Sequence, residues 1–336
     1  MNRRAFLLTV AAPMALAACA PTVQMAGVPG LDFIGPRLEA DAFVSFDGAR
    51  LGLTRWMPEA APRAVVLALH GMNDYANAFH FAAPVWARAG IATYAFDQRG
   101  FGRSPNRGVW GGEALMTEDL RVCVDLIRAR HPDTPLTVLG ESMGGAVAIA
   151  AFASPRPPLA HRMALLAPAV WGWSSQPLPY KTALWFTAHL AGETVLKPPR
   201  WVTDRVHPSD NIDELMAMGR DPLMIWGARN DTLYGLVDLM ESAWAGMARL
   251  RVPTAYFYGA NDEIIPREPS FQSARRLKPT DRSAYYEQGY HLLTRDHARA
   301  RVIADAQSFI LDPDAPFPSA PPTIPGSPTP RNAATV

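Results

Sequence analysis

Residues 137–149 read "TVLGESMGGAVAI", an apolar run broken by a serine, Ser142, framed by Gly140 and Gly144. The stretch before it, "LTVLG", has the β-branched and leucine-rich character of a strand. The stretch after it, "GGAVAIAAFA", has the small-residue character of a helix packed closely on a sheet. Strand, GxSxG and helix in that order describe a turn that lifts a serine hydroxyl clear of its own backbone. The glycines are needed because the turn presses the chain against its neighbours, where a side chain would clash.

Working outward, further short apolar runs end in Gly, Pro or polar clusters. They are "RAVVLALHG" (63–71), "IATYAFDQRG" (91–100), "RMALLAPA" (162–169) and "TAYFYGAND" (254–262). Strands this uniformly apolar belong in a sheet covered on both faces. Helix-like segments lie between them at Phe79–Ala89, Leu115–Arg130 and Gly145–Ala153. The alternation predicts an α/β fold with a mostly parallel, doubly wound sheet. "DAFVSFDGARLGLTRW" (41–56) alternates with period two around Asp47-Gly48 and reads as an antiparallel hairpin at the sheet edge. Residues 171–250 break the alternation with many Trp, Leu and Met, and are expected to form a helical lid over the carboxyl edge of the sheet.

A serine hydroxyl is a weak nucleophile at neutral pH, so it needs a base and the base needs an orienting acid. His291, in the Gly-flanked loop "YYEQGYHLL" after a last strand, is the expected base among eight histidines. Asp262 ends the strand "TAYFYG" on the same edge and is the expected acid. Asp231, in the similar "IWGARND", is the rival. The developing oxyanion calls for two N–H donors. The Met143 N–H follows the nucleophile, and the Met72 N–H lies in the loop His70-Gly71-Met72-Asn73. No His/Cys/Asp cluster has metal-ligand spacing, so neither a metal nor a cofactor is expected.

With "LHGMNDY", "YAFDQRGFGRS", "GESMGG", "YGANDEIIP" and "GYHLL" all present, the chain resembles α/β-hydrolases of the monoacylglycerol lipase and lysophospholipase type, also described as serine aminopeptidase-like. The resemblance covers roughly residues 40–312. It implies an α/β-hydrolase fold with a helical lid and a serine carboxylester hydrolase acting on single-chain lipid esters through an acyl-enzyme. Asp97–Ser104 belongs to the same pattern and is read as a structural brace. A peptidase of the prolyl aminopeptidase kind, the rival among enzymes, would usually carry a tryptophan beside the serine, where Met143 stands. A catalytically silent, envelope-anchored binding protein is the alternative outside enzymes. Lid residues Trp171, Trp173, Leu184, Trp185, Phe186 and Trp226 are expected to contact lipid or acyl chains, with the lid's own core as the alternative role.

Composition bounds the rest. The chain has 336 residues, 49% hydrophobic and 19% charged, enough for one large core. A net charge of +1 gives no long-range field for nucleic acid. The start, "MNRRAFLLTVAAPMALAACAP", has a basic region (Arg3, Arg4) and an apolar stretch too short to span a bilayer comfortably, and is expected to be an export signal over residues 1–18. Leu16-Ala17-Ala18-Cys19 resembles a bacterial lipobox, so Cys19 is expected to be lipidated and to anchor the protein to a membrane of the cell envelope, with ordinary signal-peptidase cleavage after an Ala-x-Ala-like site as the alternative. Cys123, the other cysteine, has helix-like apolar spacing and reads as a buried structural thiol with no disulfide partner. Residues 19–38 are expected to be a tether, 39–312 the folded domain, and the proline-rich 313–336 a disordered tail.

Overall fold

A computed structural model describes residues 20–199, 201 and 205–329. Arg3, Arg4 and Cys19, which carry the expected export signal and lipidation site, lie outside the described residues. The central sheet has nine strands: β1 (Arg37–Leu38), β2 (Ala42–Val44), β3 (Arg50–Trp56), β4 (Ala64–Leu69), β5 (Ile91–Phe96), β6 (Leu136–Glu141), β7 (Arg162–Leu166), and two late strands over Thr254–Gly259 and Arg282–Tyr286. Numbering in chain order, the two-residue strands β8 (Val195–Leu196) and β9 (Ala228–Arg229) pair only with each other, which makes the late strands β10 and β11. The order across the sheet is β1-β2-β3-β5-β4-β6-β7-β10-β11. From β5 to β11 every neighbouring pair is parallel. The β2–β3 hairpin joins β5 antiparallel.

The expected strands are therefore present, because an all-apolar strand can only be central and covered twice. Along β4 the period-two pleat divides the side chains between two cores. Val65, Leu67 and Leu69 pack with Leu120, Val124 and Val147 on one face, while Val66 and Ala68 pack with Trp86, Ile303 and Phe309 on the other. Helices α2 (Glu113–Arg130) and α3 (Met143–Phe152) cover the first face, and α1 (Ala82–Arg88) covers the second together with the C-terminal helix α8 (Arg299–Leu311). Alanine and glycine make up most of α3, which lets it sit directly on β6, and Cys123 in α2 is fully buried.

Between β7 and β10 run α4 (Leu178–Leu190), α5 (Ile212–Arg220) and α6 (Asn230–Gly246). Helix α6 packs along both α3 and the lid helix α4, and its Val237, Leu239, Met240 and Ala243 join the main core. Helix α7 (Arg267–Ala274) follows β10.

Both ends of the expected domain need correction. The tether is pinned from Gln24 onward: the Gln24 N–H donates to the Trp110 carbonyl (2.9 Å), the Gly27 N–H donates to Asp47 Oδ2 (2.8 Å), and residues 37–38 form β1. Residues 313–329 are likewise docked, not disordered. Ile324 is fully buried and Phe317 nearly so. The Tyr285 N–H of edge strand β11 donates to the Pro322 carbonyl (2.8 Å), and Ser283 and Ser327 share a hydrogen bond (2.7 Å). Proline lacks an N–H but keeps its carbonyl, so a proline-rich segment can accept from an exposed edge strand without itself being a strand.

Candidate active site

Four segments leave the carboxyl edge of the sheet, from the adjacent strands β4 and β6 and, across β7, from β10 and β11. At the end of β6, Ser142 adopts φ 52° and ψ −117°, a left-handed region that strains any non-glycine residue by roughly 1–3 kcal/mol. Its N–H donates to the Leu166 carbonyl (3.0 Å), and its own carbonyl accepts from Ala146 (3.1 Å) and Ala169 (2.9 Å). These bonds hold the turn in place. A Cβ on Gly140 would come within 2.5 Å of the Gly144 carbonyl oxygen, and one on Gly144 would enter the backbone of Leu69. Both glycines framing the serine are thus required by contact.

From β4 comes the loop His70–Asp74. Gly71 faces the serine directly: a Cβ there would lie 3.2 Å from the Cβ of Ser142. His70 is fully buried and braces this loop. Its Nε2 accepts from the Gln98 N–H (2.8 Å), so the ring proton sits on Nδ1 and points to the Gly71 carbonyl (2.7 Å). Burial holds its pKa below the ordinary value, in keeping with a neutral ring. Asn73 adopts φ 65°, and its carbonyl accepts from the Ile225 N–H of the lid (3.0 Å). Met72 thus follows Gly71 in a loop tied from both sides. Met143 is buried as the first residue of α3.

Asp262 follows β10 and His291 follows β11. His291 Nδ1 lies 2.8 Å from Asp262 Oδ2, and a carboxylate only accepts, so the proton is on Nδ1 and Nε2 is left as the basic nitrogen. Asp262 Oδ1 accepts from the N–H groups of Ile264 and Ile265, each at 2.9 Å, which fixes the carboxylate plane. Burial works against charge on His291, but the Asp262 carboxylate outweighs it and raises the imidazole pKa above its ordinary value.

The competing residues are placed elsewhere. Asp231 lies in the first turn of α6, where Arg229 Nη2 lies 2.6 Å from its Oδ2, and it bonds no histidine among the described residues. His161 and His131 sit below the sheet, against the Leu136 N–H and Tyr94. The N–H of His297 donates to Asp210 ahead of α8. Asp97 accepts from the N–H groups of Ala76 and Arg103 and from Arg103 Nε, while Arg99 pairs with Asp47 and Asp119. The Asp97–Ser104 stretch is a brace, as expected. Among the described residues no three His, Cys, Asp or Glu side chains are grouped to hold a metal, and no helix is long and apolar enough to cross a membrane.

Sequence reasoning overlooked three charged residues. Arg295, 1% exposed, places Nη1 2.6 Å from Asp74 Oδ2 and Nη2 2.6 Å from Glu141 Oε1. The available signals were a glutamate ending an otherwise apolar strand and an arginine one helical turn's spacing beyond His291.

The lid residues divide into two sets. Trp171, Trp173 and Leu184 pack against the main core. Helix α4 buries only Ala188, and leaves Leu178, Tyr180, Trp185, Phe186 and Leu190 exposed. Trp226 is exposed as well.

Comparison with known proteins agrees with this geometry. A family model described as serine aminopeptidase, S33, matches residues 60–298. The monoacylglycerol lipase of Mycolicibacterium smegmatis is 27% identical over 285 residues, spanning 80% of this chain and 96% of that protein. Mouse monoglyceride lipase is 26% identical over 271 residues, 78% of this chain and 86% of that protein. Among solved structures, the monoacylglycerol lipase of Paleococcus ferrophilus superposes with a TM-score of 0.62 at 21% identity, covering 78% of this chain and 98% of its own. A soluble variant of monoglyceride lipase from Saccharomyces cerevisiae gives 0.67 at 18% identity, covering 86% and 99%. These two share the fold.

Proposed function

Because the chain belongs to the serine aminopeptidase S33 family and is a serine hydrolase of the α/β-hydrolase fold, we propose that it cleaves single-chain lipid esters, monoacylglycerol or lysophospholipid. The observation that carries this reading is the buried Asp262–His291 pair on the same sheet edge as the strained Ser142, beneath a lid with an apolar outer face. Ser142 Oγ attacks the ester carbonyl as its proton passes to His291 Nε2. The Met72 and Met143 N–H groups hold the oxyanion, a role worth about 3–4 kcal/mol per donor. His291 then protonates the departing alcohol oxygen, and water, activated by the same nitrogen, releases the fatty acid from the acyl-enzyme. Near-full-length similarity to monoacylglycerol lipases supports the substrate class.

The test is a panel of monoacylglycerols, lysophospholipids, triacylglycerols and aminoacyl amides, run with wild type and Ser142→Ala. Turnover of the single-chain esters should be lost in the variant, by about 10⁴-fold or more. Faster turnover of the amides than of the esters would move the enzyme to the peptidases. Absence of labelling by a fluorophosphonate would point to a silent binding protein.

The sequence further supports export through the Arg3-Arg4 region and lipidation at Cys19, which would hold the enzyme at a membrane of the cell envelope. Intact-mass analysis of the mature protein, and of Cys19→Ser, tests this. An unmodified N-terminus on the purified membrane fraction would contradict it.

A further inference from the structure

We propose that Arg295 is a positioning residue that holds three parts of the active site in register: the oxyanion loop through Asp74, the serine turn through Glu141, and the His291 loop through its own backbone. The inference rests on the reading of Ser142 and His291 given above.

One guanidinium meets two carboxylates at 2.6 Å each, and all three groups are buried. Each belongs to a different reactive segment. Glu141 directly precedes Ser142, Asp74 lies two residues after Met72, and Arg295 lies four after His291. The planar fork of arginine reaches both partners at once, which a single ammonium cannot do. The lid closes over the cluster: the Arg295 carbonyl accepts from Asn211 Nδ2 (2.9 Å), and Met218 Sδ lies 3.7 Å from Nη1. Water is thereby kept from a cluster with one positive and two negative charges, so its field on neighbours is weakly screened.

That field falls on His291. The groups that face it are Asp262, Glu141 and Arg295, with Asp74 behind the guanidinium and Asp296 behind the Tyr290 N–H (2.7 Å). Glu141 favours the imidazolium and Arg295 opposes it. Glu141 in its ionised form thus acts with Asp262 to stabilise the imidazolium that forms as the serine proton is taken; burial pushes the Glu141 carboxyl upward, and Arg295 opposes that rise and holds the carboxylate in place.

Two variants separate the geometric part from the electrostatic one. Glu141→Gln keeps an oxygen for Arg295 and removes one negative charge; Glu141 Oε2 has no hydrogen-bond partner among the described residues, so the new amide displaces no bond. Its His291 should lose its proton more readily, moving the acid limb of kcat/KM to lower pH by about one unit. Arg295→Lys keeps the charge but not the fork. Its acid limb should stay in place while kcat falls about 100-fold, as a small displacement of reacting groups can cause, with KM nearly unchanged. Both profiles are read on a water-soluble ester and as the pH dependence of fluorophosphonate labelling, with melting temperature as a control on folding. An unmoved limb in Glu141→Gln, or wild-type kcat in Arg295→Lys, overturns the proposal. If Arg295→Lys does not fold, the limb of Glu141→Gln decides alone. A wild-type enzyme that neither turns over ester nor labels would instead sink the underlying serine-hydrolase reading.

Discussion

At the scale of single residues, two similar "ND" turns differ in what each aspartate holds. Asp262 bonds His291 Nδ1 and two backbone N–H groups, while Asp231 pairs with Arg229. In Asp262→Asn the amide keeps the backbone bonds through its oxygen and turns its NH₂ toward His291. That favours the wrong tautomer and should cost about 10⁴-fold in kcat with little change in melting temperature. Asp231→Asn should be mild in kcat, and a reversed ranking in folded variants would overturn the acid assignment. Asp296 offers a second test. Burial raises its carboxyl to about 6, against the hydrogen bonds from Ser209 Oγ and the Tyr290 N–H. Between about pH 4 and about 6 the folded protein keeps a proton that the unfolded chain has released, so this group's contribution to stability falls as pH rises through that window. Asp296→Asn can still accept from Tyr290 and donate to Ser209. Its stability relative to wild type should rise from about pH 4 to about 6 and level off above, as followed by melting curves across that range. A constant difference would show that Asp296 titrates normally.

Among the elements, the tail on β11 changes how the edge of the sheet is understood. Residues 313–329 cap an edge strand that would otherwise present open hydrogen-bonding groups, and they bury Ile324 and Phe317 in doing so. The Phe317 ring also stacks under the Arg282 guanidinium at 4.5 Å. Ile324→Ala should therefore destabilise the whole domain by about 2–4 kcal/mol through lost burial and the cavity left behind. Chemical denaturation checks this directly. A midpoint equal to that of wild type would mean that the tail is not held against the sheet in solution.

Across the whole molecule, the lid leaves the apolar side chains of α4 exposed. Trp185 is 47% and Phe186 55% exposed, although such residues normally seek burial. Replacing both by alanine should lower the rate on dispersed monoacylglycerol by about 10-fold while leaving a short water-soluble ester nearly untouched, because exposed aromatic side chains add affinity for a lipid surface that a dissolved ester does not need. Equal losses on both substrates would show that these side chains support the lid instead of meeting lipid.

The sequence by itself determined the parallel sheet and the serine turn, because uniformly apolar strands, glycines at forced contacts and a strand-turn-helix order are local patterns with few physical solutions. It also placed Asp262 and His291 on one edge, since in a parallel sheet each strand delivers its carboxyl end to the same side. The tertiary structure alone showed what α6 touches, because an apolar stripe does not name its partner and α6 packs on both α3 and the lid helix α4. It alone docked the tail, because proline content excludes regular structure but says nothing of carbonyls accepting from a distant edge. The Asp74–Arg295–Glu141 cluster left only faint traces in the sequence, a glutamate ending an apolar strand and an arginine four residues after His291: its members stand 221 and 154 residues apart, and a buried charge is recognised only when its partner is seen beside it.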